Sequence, residues 1–255
     1  MTGKNREKQQ ANKKAKREDQ QAHKVAADER KFDSHFKLDW FQPTPIQEEI
    51  IESYYYNALT CVQGSSGTGK STTVIYQALC DLRDRHYKKI VFCKTPAELG
   101  DDKIGFLSGS ADEKLMMHFE SMRSIFHTFM AKEKLVMEEK AGNIQFTIPN
   151  FIAGKTIDNA ILIIDEAQLL SVGTVKLLLE RAGQGTKVFL LGDKGQCYAV
   201  KQRDDGFTDF IKRITTQDED GVRTSKIGGL GYVEMKSGDN MRSDLSRTIV
   251  ELYEE

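Results

Sequence analysis

Residues Gly64 to Ser71 read Gly-Ser-Ser-Gly-Thr-Gly-Lys-Ser, and this fit to the pattern GxxxxGK[ST] constrains the chain more than any other feature. Glycines at those spacings let the backbone curl until successive N–H groups point inward, making a nest for phosphate oxygens at the start of a helix. The pattern therefore demands a strand before it and a helix after it. Leu59 to Gln63 is an apolar run of strand length and Ser71 to Leu82 has helical spacing, so the sequence meets both demands. The expected nucleotide contacts are Gly64, Ser65, Ser66, Gly67, Thr68, Gly69, Lys70, Ser71 and Thr72. Lys70 would reach the β- and γ-phosphates of a nucleoside triphosphate, and Ser71 would offer its hydroxyl to Mg²⁺, a cation that takes few protein ligands and keeps waters and phosphate oxygens for the rest. The bland alternative is a glycine-rich turn with no ligand.

Apolar runs alternate with helical patterns along the chain. Lys89 to Cys93, Ala160 to Ile164 and Lys187 to Leu191 are expected to be buried strands bracketing helices, which predicts a mostly parallel α/β sheet. The second run leads into Asp165-Glu166-Ala167-Gln168, putting two carboxylates at a strand's carboxyl end, where open α/β sheets bind ligands. Asp165 would hold Mg²⁺ through water and Glu166 would orient the attacking water; otherwise the pair simply caps the next helix. The third run ends in Gly192-Asp193, with Gln196 just beyond, a carboxylate and an amide placed to sense the γ-phosphate. Upstream, Phe41-Gln-Pro-Thr-Pro-Ile-Gln47 precedes a helical segment from Glu48 to Tyr56, and Gln47 can present a donor and an acceptor to an adenine edge. Asp112 to Lys140 reads as one long helical stretch with Leu115, Phe119, Met122, Phe126 and Phe129 spaced for packing, or for a small subdomain or protomer contact. Ile144 to Ile148 reads as a short strand.

At 255 residues and 39% hydrophobic, the chain can bury one substantial core. Residues 1–31 form a basic arm, carrying Lys4, Arg6, Lys8, Lys13, Lys14, Lys16, Arg17, Lys24 and Arg30 with almost no large apolar side chains. Such an arm cannot pack a core. It would neutralise phosphates without sequence preference, or merely solubilise the protein. Residues 32–255 are left for the α/β domain, with a helical insertion near 111–141. Cys61, Cys80, Cys93 and Cys197 lie far apart without a CxxC pair, which suggests neither a zinc ribbon nor a disulfide framework. No apolar run has membrane-spanning length and no signal-peptide stretch opens the chain, so the expectation is a soluble cytoplasmic protein. No internal repeat is visible.

The order of Gln47, the phosphate loop, Lys94-Thr-Pro96, Asp165-Glu-Ala-Gln168 and Gly192-Asp193 through Gln196 resembles the first RecA-like domain of superfamily 1 helicases. More closely, the chain resembles the PhoH-like ATPase family, through Lys94-Thr-Pro-Ala-Glu-Leu-Gly100, Gly105-Phe-Leu-Ser-Gly109, Asp165-Glu-Ala-Gln168, Leu191-Gly-Asp193 and Asp239-Asn-Met-Arg242. The likeness covers about residues 40 to 255. This chain departs from the family pattern at Lys94-Thr-Pro96, where Thr-Arg-Pro is usual, at Ser108, where Pro is usual, and at Ala153, where Arg is usual. Lys94 and Lys155 would have to replace two arginines, carrying charge without a bidentate fork.

The resemblance implies a single RecA-like P-loop domain, whereas a monomeric superfamily 1 helicase closes its site between two and takes an arginine from the second. A ring of copies, hexameric by the likeness, would let Arg242, or else Arg181, complete a neighbour's site; Arg242 in an ordinary salt bridge is the alternative. Three function classes follow. The first is an ATPase acting on RNA or single-stranded DNA as helicase or translocase. The second is a nucleoside kinase, since thymidine kinases pair a phosphate loop with Asp-Glu-Ala-Gln, although the zinc cysteines are missing. The third is a nucleotide-dependent switch or adaptor.

Overall fold

The computed structural model describes residues 36–95, 111–152, 154–196 and 205–240 together with positions 243, 245, 248 and 252; for 111–117 and Ser237 it describes the backbone alone. Contacts divide the chain into units of residues 1–37 and 38–255, and the sheet and its helices belong to the second. In chain order the elements are α1 (Pro45–Tyr56), β1 (Leu59–Gln63), α2 (Lys70–Arg83), β2 (Lys89–Lys94), α3 (Ala111–Phe126), α4 (Lys132–Ala141), β3 (Ile144–Thr147), α5 (Pro149–Ile152), β4 (Ala160–Asp165), α6 (Val172–Leu179), β5 (Lys187–Gly192), α7 (Gly206–Ile214), β6 (Thr215–Gln217), β7 (Arg223–Ser225) and β8 (Leu230–Glu234).

Among the described residues the main sheet has six strands in the order β3-β2-β4-β5-β1-β8, and every pairing in it is parallel. β4 is buried along its whole length, as a central strand covered on both faces must be, and its sequence Ala-Ile-Leu-Ile-Ile-Asp has no polar position until the last. Pleating sends alternate side chains of β5 to opposite faces. Val188 and Leu190 join a core with Leu178 of α6 and Phe207 and Ile211 of α7. Phe189 turns the other way and stacks on Tyr54 of α1, with ring centroids 4.9 Å apart. The antiparallel pair β6–β7 stands apart from the main sheet.

Register fixes where the strands end. Gln63 pairs with Gly192 and Lys94 with Asp165, so the carboxyl ends of β1, β5, β2 and β4 come level along one edge. That edge is where an open parallel sheet offers its strand tips to a ligand.

Two expectations need correction. The stretch from Asp112 to Lys140 is two helices, not one: α3 ends at Phe126 and α4 begins at Lys132. The break lets Phe126, Phe129 and Met130 all point inward, each almost wholly buried, with Phe126 edge-on to Phe92 of β2 and Phe146 of β3. Phe126, Phe129 and Met130 thus serve the packing that the apolar spacing suggests. The sixth strand, β8, is an addition to the expected runs: it is short, carries Gly231 at its second position, and joins the sheet beside β1.

No helix among the described residues is long and apolar enough to cross a membrane. Cys61, Cys80 and Cys93 are free thiols, and burial pushes the Cys93 thiol up to about 12; Cys197 lies outside the described residues.

Candidate functional site

The loop leaves β1 at Gln63 and enters α2 at Lys70. Gly67 and Gly69 sit at φ +89° and +85°, conformations that side-chain-bearing residues avoid, and Gly69 forms the left-handed N-cap from which the helix starts. The Thr68 hydroxyl donates to the Ser65 carbonyl, bracing the curl from inside. The Lys70 ammonium donates to the carbonyls of Gly64 and Ser65 at 2.6 and 2.8 Å, so its charge lies against the loop. The root of the loop is tightly held. A Cβ on Gly64 would stand 2.8 Å from the Cβ of Met235, whose N–H donates to the Gln63 carbonyl. Asn240, nearly buried, donates to the Ser66 carbonyl from beyond β8. This gives the Asp239-Asn240 motif a physical role that its sequence alone does not reveal.

The acidic pair lies beside the loop. The Ser71 hydroxyl is 3.3 Å from both carboxylate oxygens of Asp165. Burial pushes the Asp165 carboxyl above the usual carboxylate range, while the Lys94 and Lys70 ammonium groups pull it back. Lys94, at the tip of β2, holds its ammonium 3.5 Å from Asp165 Oδ2 and 3.6 Å from Glu166 Oε1. A hydroxyl and a carboxylate meeting at a point that already holds a positive charge form a hard-oxygen donor set, and that set fits Mg²⁺. Glu166 adopts φ +58°, an uncommon conformation for a residue with a side chain and one that clusters at functional sites. Glu166 occupies the N-cap position of the 3₁₀ turn at Ala167–Leu169, but its side chain makes no capping hydrogen bond there.

Gln168 joins the two acidic strand tips. Its amide nitrogen donates to Glu166 Oε2 at 2.8 Å, and its amide oxygen accepts the Asp193 N–H at 3.1 Å. The side chain is 1% exposed, so the bridge is well shielded from water. Asp193 accepts from the N–H groups of Gly195 and Ser66; burial nevertheless raises its carboxyl above the ordinary value. Gln168 is not among the residues the sequence singles out for the site, although its place two residues beyond Glu166 is a usable signal.

These groups line one cavity of about 410 Å³, within the range of small-ligand pockets. Ser66, Gly67, Gly69, Lys70, Ser71, Thr72, Asp165, Glu166, Asp193 and Gln196 all line it, as do Lys94 and Gln47. The Gln47 amide oxygen accepts the Thr44 N–H at 3.0 Å in a capping box at the start of α1, a helix-capping role not expected from the sequence. The remaining wall is apolar, made by Trp40, Phe41 and Ile125. None of these three is an expected site residue.

Other expected residues lie elsewhere. Arg181 follows α6, and its carbonyl accepts from Ile157, ahead of β4; it thus lies at the amino ends of the strands, opposite its own chain's pocket. Lys155 lines a separate depression with Lys89 and Phe151, so it and Lys94 do not share a surface. Arg242, the basic arm of 1–31, the stretch Pro96 to Gly109 and Ala153 lie outside the described residues.

The sequence pattern of the family described as PhoH-like protein matches residues 42–254. A PhoH-like protein of Bacillus subtilis (strain 168) is 27% identical over 213 residues, covering 82% of this chain and 62% of that protein. Protein PhoH2 of the same organism is 34% identical over 143 residues, 54% of this chain and 32% of that protein. The chain thus spans about 60% of the length of the first of these relatives. The solved Hef helicase domain of Pyrococcus furiosus superposes with a TM-score of 0.45 at 12% identity, covering 78% of this chain and 40% of that one.

Proposed function

This chain belongs to the PhoH-like protein family, and we propose that it is a Mg²⁺-dependent ATPase that couples hydrolysis to binding, moving along or unwinding RNA or single-stranded DNA. The observation that carries the hydrolytic half is the meeting of Ser71, Asp165 and Glu166 beside the phosphate loop, on one cavity at the carboxyl ends of parallel strands.

In this reading the loop N–H groups and Lys70 bind the β- and γ-phosphates of ATP. Ser71 and Asp165 would hold Mg²⁺, which when bound neutralises phosphate charge. Glu166 holds and polarises the attacking water, kept in place by Gln168, and Asp193 and Gln196 report the γ-phosphate to the rest of the chain. Lys94 exchanges its contacts with the acids for contacts with phosphate oxygens. A positive charge added to the transferring phosphoryl group is worth about 10³ to 10⁵ in rate, and Arg242, or in second place Arg181, would supply it to a neighbouring copy in a homo-oligomeric ring of PhoH-like, hexameric form. Arg181, on the far side of its own sheet, could act only on a neighbour's nucleotide if it acts on one at all. The basic arm supports a nucleic-acid partner of low sequence preference.

Steady-state ATP hydrolysis with and without single-stranded RNA and DNA, at two salt concentrations, tests this reading. Stimulation that fades with salt is expected. Hydrolysis indifferent to both polymers would remove the nucleic-acid half, and phosphorylation of added nucleosides would turn the reading to a kinase.

A further inference from the structure

We propose that the base of the bound nucleotide is held by stacking on the open face of Trp40, and that the site consequently accepts adenine and guanine nucleotides with similar affinity. The proposal rests on the phosphate-loop reading above and adds the base to it.

Four observations lead there. Trp40 is 51% exposed, unusual for the largest apolar side chain, yet its ring is firmly seated. One face stacks on the fully buried Phe129, centroids 5.4 Å apart and planes 20° apart. Its edge meets Phe41 at 5.7 Å and 88°, and Phe41 packs at 4.5 Å on Tyr76 of α2, the helix that the phosphate loop opens. Trp40 also lines the same cavity as Ser66, Lys70 and Thr72. Thr72 and Tyr76, one helical turn apart, share a face of α2, so the aromatic wall is fastened beside the loop on a side adjacent to the one that carries Ser71. A ring fixed in orientation before the ligand arrives binds without losing side-chain freedom.

The lack of base discrimination follows from what surrounds the ring. Phe41 and Ile125 carry no polar side-chain atom, and stacking is indifferent to base identity because every base has a π-face. Bidentate reading of adenine by a glutamine needs both its amide oxygen and its nitrogen. Gln47 also lines the cavity, but its oxygen already accepts the Thr44 N–H and the side chain is 1% exposed, which leaves little of the amide for a base edge.

Trp40 is the sole tryptophan in the sequence, so its intrinsic fluorescence reports on this site alone. The 255-residue chain is titrated with ADP, GDP and, as a base-free probe, tripolyphosphate, following tryptophan emission and calorimetric heat together. ADP and GDP should both change the emission and bind within about tenfold of each other, while tripolyphosphate binds with little change in emission. Trp40→Ala should weaken ADP and GDP by about 10- to 100-fold and leave tripolyphosphate unaffected; Trp40→Phe, which keeps a stacking ring, should recover most of the loss. ADP binding that leaves the emission untouched, a Trp40→Ala variant as tight as the parent, or a preference for ADP over GDP above 100-fold would each overturn the proposal while sparing the phosphate loop. Failure of the parent chain to bind either ADP or tripolyphosphate would overturn both.

Discussion

The phosphate end of the cavity comes from level strand tips and one contiguous glycine-rich loop, whereas its aromatic end is assembled from Trp40 and Phe41 ahead of α1, Ile125 on α3 and Phe129 beyond it. At the first end the wall is largely backbone, and its shape is set by positive φ angles and by atoms too close to admit one more carbon. At the second, side chains far apart in sequence pack on one another, and a different ring would serve nearly as well. The phosphate end should therefore be brittle to substitution and the aromatic end graded.

The largest effect is expected at the phosphate end. Lys70→Ala should lower ATP turnover by about 10³ or more, since in the proposed mechanism Lys70 would bring a positive charge to the transferring phosphoryl group; turnover within tenfold of the parent would break the contrast at once. Next comes the root of the loop. In Gly64→Ala the new methyl meets the Met235 Cβ, not the flexible end of a side chain, and should cost about 1–3 kcal/mol, read as a lower urea midpoint. An unchanged midpoint would mean that the loop yields more readily than its packing implies.

Gln168→Ala sharpens the comparison within the phosphate end. Losing the bridge between Glu166 and Asp193 should cost about 1 kcal/mol, a several-fold fall in kcat with nucleotide affinity retained. A loss of affinity with unchanged kcat would show that Gln168 supports the fold of the pocket and not the placement of Glu166.

The smallest effect lies away from both ends. His86 Nδ1 is 2.9 Å from the buried carboxylate of Asp81, and this hydrogen bond raises the imidazole pKa above its ordinary value near 6.5. A histidine raised on folding adds stability that is fully present below about pH 6.5 and is lost as pH climbs through the folded value. Because the ring is largely exposed, the contribution should be at most about 0.5 kcal/mol. Urea midpoints of the parent and His86→Ala should differ slightly at pH 5.5 and converge by pH 8.5; a gap that widens with pH would contradict the assignment.

Much of this is legible in the residues because local chemistry fixes it. The strand Leu59–Gln63, the loop, and the runs ending at Asp165 and Gly192 each carry their own pattern, and parallel pairing brings their ends level without further instruction. Long-range packing leaves weaker traces. Trp40 carries no motif, and only its meeting with Phe129 turns it into part of a wall. β8 is interrupted by glycine, so its strand pattern is faint, yet it anchors the loop through Met235 and leads into Asn240. Residue type alone points Gln47 at a base, and the competing pull of a helix N-cap redirects its oxygen. The break between α3 and α4 is hidden because the apolar spacing runs on through the turn.

The most direct test of the central claim, that Glu166 drives hydrolysis of a nucleotide held by the loop, is the turnover of Glu166→Gln at saturating ATP, with ATP affinity measured on the same preparation. Hydrolysis should fall by about 10² to 10⁴ with affinity nearly unchanged. Turnover equal to that of the parent protein would remove Glu166 from the chemistry and contradict the account.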